Sequence, residues 1–138
     1  MIRIVKAVIY KNAYYLLQLR DNKSTIASPN TWGFFGGGVK NYESHEDALI
    51  RELKEELDWT PKEIILIHTD TKLKTKWFSV LCHVHNRELS LLEGQDMKWF
   101  KSNEIFELPN TPHIVDFIIE KHEHILSKSK NQCDFLTN

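Results

Sequence analysis

Residues 37–59 read GGVKNYESHEDALIRELKEELDW, a glycine-rich loop running into a helix loaded with carboxylates. Ser44 is placed as an N-cap, with Asp47 three residues on as a near capping box. Glu46 and Asp47 suit the positive end of the helix dipole. Leu49, Ile50, Leu53 and Leu57 supply an apolar stripe, so the pattern predicts a helix over 44–57. Asp58 stands where a terminating glycine is common, and Pro61 marks the end. Glu52, Glu55 and Glu56 fall in one sector of the helical wheel, about 100° wide. Like charges at that spacing each destabilise a helix by about 0.2–0.5 kcal/mol. Arg51 and Lys54 project elsewhere and relieve the cluster only in part. A hard divalent cation on the carboxylate oxygens offsets the repulsion, and magnesium or manganese (Mg2+ or Mn2+) has the right ligand preference. A carbonyl freed by the run Gly36-Gly37-Gly38 would add an oxygen ligand. An E-x-x-E-E motif alone is more often a solvated helix face, so its surroundings decide the matter.

Working outward, Ile2 to Tyr10 and Tyr14 to Leu19 are rich in strand-forming residues. A turn at Lys11-Asn12-Ala13 joins them into a hairpin, with Asn suited to a left-handed conformation. Arg20 to Asn30 is polar and long enough to be a functional loop. The three glycines within WGFFGGGV, residues 32–39, argue against a regular strand or helix interior there. Downstream, strands are expected over Glu63–Thr69, Trp77–His85 and Asp96–Phe100, with a short one at Leu89–Leu92 and an exposed turn at Lys72–Lys76. Ser102 would cap a helical turn over Asn103–Phe106. A closing helix is expected over Thr111–Leu126, with Pro112 early and Ile114, Phe117, Ile118 and His122 or Ile125 on one face. The polar residues 127–138 are expected to fray.

The chain's 138 residues make one domain, residues 1–138, able to bury a core unaided. With 18 basic and 19 acidic residues, the net charge of −1 gives no general attraction for nucleic acid or an anionic membrane. No 18-residue apolar run predicts a membrane span, and the N-terminus lacks a signal peptide's apolar stretch. Cys82 and Cys133 have neither zinc-ribbon nor disulfide-framework spacing, which fits a reducing, cytoplasmic setting.

The set Gly37, Glu43, Arg51, Glu52, Leu53, Glu55, Glu56 and Trp59 resembles the Nudix hydrolase signature, G-x5-E-x7-R-E-U-x-E-E-x-G-U, where U is bulky and apolar. Six of these are single-identity matches, which chance supplies about once in ten million starting positions at ordinary residue usage. Residues 32–37, WGFFGG, resemble the family's W-x-F-P-G-G lead-in, and residues 93–100, EGQDMKWF, its late strand. The resemblance covers most of residues 2 to 126. The sequence departs from the pattern at Asp58, in place of glycine, and at Phe35, in place of proline. Aspartate tolerates a left-handed helix end at about 1 kcal/mol or less, and Phe35 would reshape the loop or wall the pocket.

The resemblance implies an α/β fold, a Nudix-type α/β/α sandwich with a mixed β-sheet. It implies a magnesium or manganese site at Glu52, Glu55 and Glu56, helped by a carbonyl of Gly37 or a neighbour. Glu52 or a nearby carboxylate would activate water, Arg51 would orient a glutamate, and Glu43 would be structural. Glu93 is a further candidate base, or else a surface glutamate. Arg20 is a candidate phosphate ligand, because guanidinium matches phosphate bidentately. Phe34, Phe35 and Tyr10 are candidates for stacking on a base, with core packing the competing role. The activity implied is metal-dependent cleavage of a diphosphate linkage in a nucleotide-like small molecule, including ordinary or oxidised nucleoside triphosphates. RNA-end processing, nucleotide-sugar processing and a non-catalytic nucleotide sensor are the alternatives. A homodimer is common in the family.

Overall fold

A computed structural model describes residues 2–26, 29–109 and 111–137, with the side chains of residues 86 and 130–137 outside that description. Among the described residues, seven strands form one mixed sheet organised around β1 (Arg3–Lys11). One edge of β1 pairs in parallel with β6 (Thr75–Leu81), and the antiparallel β5 (Ile65–Asp70) lies outside β6. The other edge of β1 is divided. Its first half, Arg3 to Ala7, pairs with β4 (Phe35–Val39), and its second half, Ile9 to Lys11, pairs with β2 (Tyr14–Leu19). β3 (Trp32–Gly33) pairs with the end of β2, and β7 (Asp96–Lys101) pairs with the opposite edge of β2. The chain therefore changes partner at Phe34, between β3 and β4, and the sheet opens there.

The period-two alternation of a strand decides what each face buries. Val5, Ala7 and Ile9 of β1 pack with Phe35, Phe78 and Val80 against Ala48, Leu49, Leu53 and Leu57 of α1 (His45–Leu57). Val8 faces the other way, with Leu17, Phe34, Trp77 and Phe100, against Ile105 of α2 (Ser102–Phe106) and Val115, Ile118 and Ile119 of α3 (His113–Thr137). The result is the expected α/β/α sandwich with a mixed sheet. At the second layer His122 is buried, with Nδ1 2.8 Å from the Tyr15 hydroxyl and Nε2 2.7 Å from Ser79 Oγ. Burial pulls its pKa down to about 4, so a neutral imidazole ties α3 to β2 and β6.

The local signals of α1 are realised closely. Ser44 Oγ accepts from the Asp47 N–H at 3.0 Å, and Asp58 is left-handed at φ 51°, donating its N–H to the Lys54 carbonyl. Asn12, at φ 56°, makes the β1–β2 turn.

Other expectations need correction. The glycine run does not interrupt strand structure, because Gly36, Gly37 and Gly38 pair with Lys6, Val5 and Ile4 within β4. Gly36 has φ 150°, and a Cβ there would strike the Val5 carbonyl, so the strand is built only because the side chain is missing. Leu89–Leu92 is not a strand. The N–H groups of Ser90 and Leu92 instead donate to the carbonyls of Leu57 and Glu56, satisfying orphan acceptors at the end of α1. Ile50 is 37% exposed, since the buried stripe runs through Ala48, Leu49, Leu53 and Leu57. On α3 the buried stripe is Val115, Ile118, Ile119 and His122, leaving Phe117 exposed. That helix also continues past Leu126 to Thr137, since residues 127–137 contain neither Gly nor Pro to break the ladder. Cys82 is buried in the core as expected, and the Cys133 side chain lies outside the described residues. No helix among the described residues is long and apolar enough to cross a membrane.

Adjacent phenylalanines thus meet opposite fates, Phe35 under α1 and Phe34 toward α3. Phe35→Ala is expected to lower unfolding stability by about 3–5 kcal/mol, seen as a lower urea midpoint at unchanged m-value. A cost well under 1 kcal/mol would mean that Phe35 does not fill the core.

Candidate active site

The opening of the sheet at Phe34 leads into a cavity of about 640 Å³. Glu52 and Glu56 of α1 and Gly36, Gly37 and Gly38 of β4 line one side. Lys6, Gln18, Arg20 and Glu93 line it further along, and Trp32, Phe34, Trp77, Ile114 and Val115 form an apolar wall. The cavity therefore runs from a carboxylate end to an aromatic end.

Arg51 builds the carboxylate end. Its Nε and Nη2 donate to the two oxygens of Glu43 at 2.8 and 2.9 Å. Nη2 also donates to the Gly38 carbonyl at 2.9 Å, and Nη1 donates to Glu52 Oε1 at 3.1 Å and to both Glu55 oxygens at 3.4 Å. The Arg51 hydrogen bonds, with help from the Lys40 N–H, hold the Glu43 carboxyl down near a pKa of about 2. Arg51 itself is held above its ordinary value by Glu43 first, against desolvation.

The three signature glutamates occupy three different environments. Glu56 is buried, with 2% exposure, and its Oε1 accepts from the Gly36 N–H at 3.0 Å. Burial first, then Glu93 and Glu52, push its pKa up to about 8, while Lys6 and the Gly36 N–H oppose them. Glu52 is likewise raised, by desolvation first, against its bond to Arg51. Glu55 projects outward with its side chain 55% exposed, drawn toward Arg51. Among the described residues no three carboxylate, imidazole or thiolate side chains already converge on one point. The cluster expected on one helix sector is thus two carboxylates at the cavity and one outside it. Gly37 lies so close to Glu52 that a Cβ would collide with its carboxylate. The donor set suits a hard cation, since two crowded, desolvated carboxylates gain most from one.

The Glu93 loop is pinned from beneath. Gln18 Nε2 donates to the Glu93 carbonyl at 2.9 Å, and Gln95 bonds the Leu19 carbonyl through its N–H and the Arg20 carbonyl through its side chain. Glu93 and Arg20 both reach the cavity, as does Phe34. Phe35 is in the core instead, because the strand alternation turns it under α1. Tyr10 lies away from the cavity, edge-on to His122 with ring centroids 4.6 Å apart, because its position on β1 is beyond the opening. Lys6, Gln18, Trp32 and Trp77 were not singled out from the sequence. The signal for Lys6 was present, as the one charge inside the apolar run Ile4–Ile9.

The NUDIX domain profile matches residues 2–120. A nucleoside triphosphatase NudI from Salmonella agona (strain SL483) is 33% identical over 119 residues, covering 74% of this chain and 83% of that protein. An RNA pyrophosphohydrolase from Histophilus somni (strain 2336) is 35% identical over 72 residues, which is 51% of this chain but 36% of that protein. A solved structure from work on MutT of Aliivibrio salmonicida and Vibrio cholerae superposes with a TM-score of 0.70 at 24% identity, covering 87% of this chain and 94% of that one. A Caenorhabditis elegans Ap4A hydrolase gives 0.72 at 20% identity, over 91% and 99% of the two chains. These two likenesses concern the fold. The chain belongs to the Nudix hydrolase family, and its class of activity is hydrolysis.

The raised Glu56 pKa has a stability consequence. The folded state holds this proton more tightly than the unfolded chain, whose value is near 4.5. The contribution is complete below that value and is lost as pH rises through about 8. Glu56→Gln stays neutral throughout. In chelator, its melting temperature is expected to gain on the wild type between pH 5 and pH 9. A gap that stays constant over that interval would show that the Glu56 carboxylate is not desolvated.

Proposed function

We propose that this chain is a metal-dependent pyrophosphohydrolase that cleaves the diphosphate linkage of a nucleoside triphosphate, ordinary or oxidised. The cavity carries the reading. Its lining combines the buried Glu56 and half-buried Glu52 with the cationic Arg20 and Lys6 and with the aromatic Trp32, Phe34 and Trp77. Its volume lies within the range of small-molecule sites, about 300–1,000 Å³. The NudI relative supports a nucleoside triphosphate by its name and by its coverage.

Glu52 and Glu56 would hold magnesium or manganese, with Glu55 turning in from its exposed position and a Gly37 carbonyl assisting. When bound, such an ion supplies charge neutralisation at phosphoryl oxygens and lowers the pKa of water. Attack by water on a phosphorus of the linkage breaks its bond to the bridging oxygen, and that oxygen leaves with the departing phosphate. Glu52 would take the attacking water's proton, with Glu93 as the alternative base. Arg51 positions Glu52 through Nη1, and Arg20 offers a fork to a phosphate. Phe34 and the tryptophans Trp32 and Trp77 give a nucleobase an apolar surface.

Removal of a general base typically slows a reaction by about 10²–10⁴. Glu52→Gln and Glu56→Gln are each expected to lower kcat with magnesium by at least the lower figure. Glu93→Gln should alter the acid limb of the pH profile if Glu93 holds the proton. The assay is a panel of nucleoside triphosphates, nucleotide sugars and an RNA 5′-triphosphate, with products identified and magnesium or manganese added and removed. The RNA is included because of the shorter match to the Histophilus somni protein. Turnover that persists in chelator, or in the Glu56→Gln variant, would remove the metal-dependent reading. Full nucleotide binding without turnover of any panel member would favour a sensor. Exposed Ile65 and Leu66 on the edge strand β5 support a homodimer, which sedimentation would test.

A further inference from the structure

Lys6 occupies a position that core packing alone would give to an aliphatic residue. Its neighbours on β1, Val5 and Ala7, are fully buried against α1, and Val8 fills the opposite layer. Its own register partners are Gly36 of β4 on one side and Trp77 of β6 on the other. Lys6 is therefore inside the sheet, on the α3 side, and its side chain lines the cavity. Taking an ammonium out of water is costly unless an anion meets it. Among the described residues, no hydrogen bond or ion pair engages this ammonium. Desolvation first, then the like charge of Arg20, hold its pKa below the ordinary lysine value, against Glu56, Glu52 and Glu93.

Lys6 acts on Glu56, Glu52 and Glu93 through space but is hydrogen-bonded to none of them. Glu56 accepts instead from the Gly36 N–H, and Glu52 from Arg51. Lys6 and Arg20 repel each other in a cavity that they share with Glu52, Glu56 and Glu93, so a phosphate that arrives with a divalent cation would meet charges of both signs. The register adds direction. Gly36, the donor to Glu56, flanks Lys6 on the β4 side, and Trp77 flanks it on the β6 side. A ligand that spans this lining from the carboxylates to the aromatic residues brings its phosphates within reach of Lys6.

We propose that Lys6 is a substrate-binding residue that grips a phosphate of the bound nucleotide, in the cavity it shares with Glu52, Glu56, Phe34 and Trp77. The proposal rests on the nucleotide-cleaving reading above. The probe is methylenediphosphonate, a diphosphate mimic that carries no base and is not hydrolysed. Its binding to the magnesium-loaded protein is measured by titration calorimetry, alongside steady-state kinetics with a nucleoside triphosphate. Loss of a charge-assisted bond predicts about 10–100-fold weaker diphosphonate binding in Lys6→Met. KM should rise by a similar factor with kcat less affected, and Lys6→Arg should recover most of the affinity. If the methionine variant does not fold, Lys6→Gln gives the same comparison without charge. Unchanged diphosphonate affinity in a folded neutral variant of an active wild-type enzyme overturns the proposal alone. So does a loss that Lys6→Arg leaves unrepaired, or one seen only with the free nucleoside, which would put Lys6 on the base. A wild type that neither binds the diphosphonate nor cleaves any nucleotide overturns the functional reading together with it.

Discussion

The two-pronged bond from Arg51 to Glu43 is the constraint on which the candidate site depends. Glu43 sits in the loop between β4 and α1, and Arg51 lies two turns into the helix. One planar guanidinium fixes the Glu43 carboxylate, the Gly38 carbonyl and Glu52 in a single arrangement. Lysine could not do this, since it lacks the rigid fork. Arg3 adds a second tie, donating to the carbonyls of Lys40 and Glu43 from β1. The loop is therefore held from the helix and from the sheet at once, and the strand of glycines it follows cannot drift from the carboxylates.

That rigidity is set against an unfavourable charge distribution. α1 buries Glu56 on the same helix as Leu49, Leu53 and Leu57, with Glu52 and Glu93 near enough to raise its pKa. An ordinary structural helix would place an aliphatic residue there. A local choice that opposes the fold's stability marks a place where something other than stability is served. The apolar face of α1, packed on β1 and β4, supplies the stability that lets the conflict persist. The fully made cap at each end of the helix helps in the same way.

The helix, its caps and the carboxylate spacing along it were legible because all depend on neighbours within about one or two turns. The hairpin at Asn12 was legible for the same reason. The strand through Gly36, Gly37 and Gly38 was not, because glycine's local preference was overridden by pairing with β1, thirty or more residues earlier. The separation of Glu55 from Glu52 and Glu56 was hidden too. A helical wheel gives the direction of a side chain's root, whereas Arg51 decides where the Glu55 carboxylate ends. Phe34 and Phe35 could not be told apart without knowing that the chain changes strand partner between β3 and β4. Lys6 was visible as a charge in an apolar run, but its meaning came only from its flanking partners.

The architecture separates chemistry from selection. The carboxylates and their Arg51 brace belong to one continuous segment, β4 through α1. The surfaces that would meet the rest of a ligand come from β1, β2, β3, β6, α3 and the Glu93 loop, which converge only where the sheet divides. A change at Trp32, Phe34 or Trp77 can alter what fits the cavity without touching the Arg51 network. A change at Arg51 disturbs every ligand alike. Membership of the family therefore speaks for the first segment far more than for the second, and fold alone does not choose a substrate. The side chains that would choose it are spread over five separate elements and a loop, which is why so compact a signature leaves the identity of the ligand to the lining outside it.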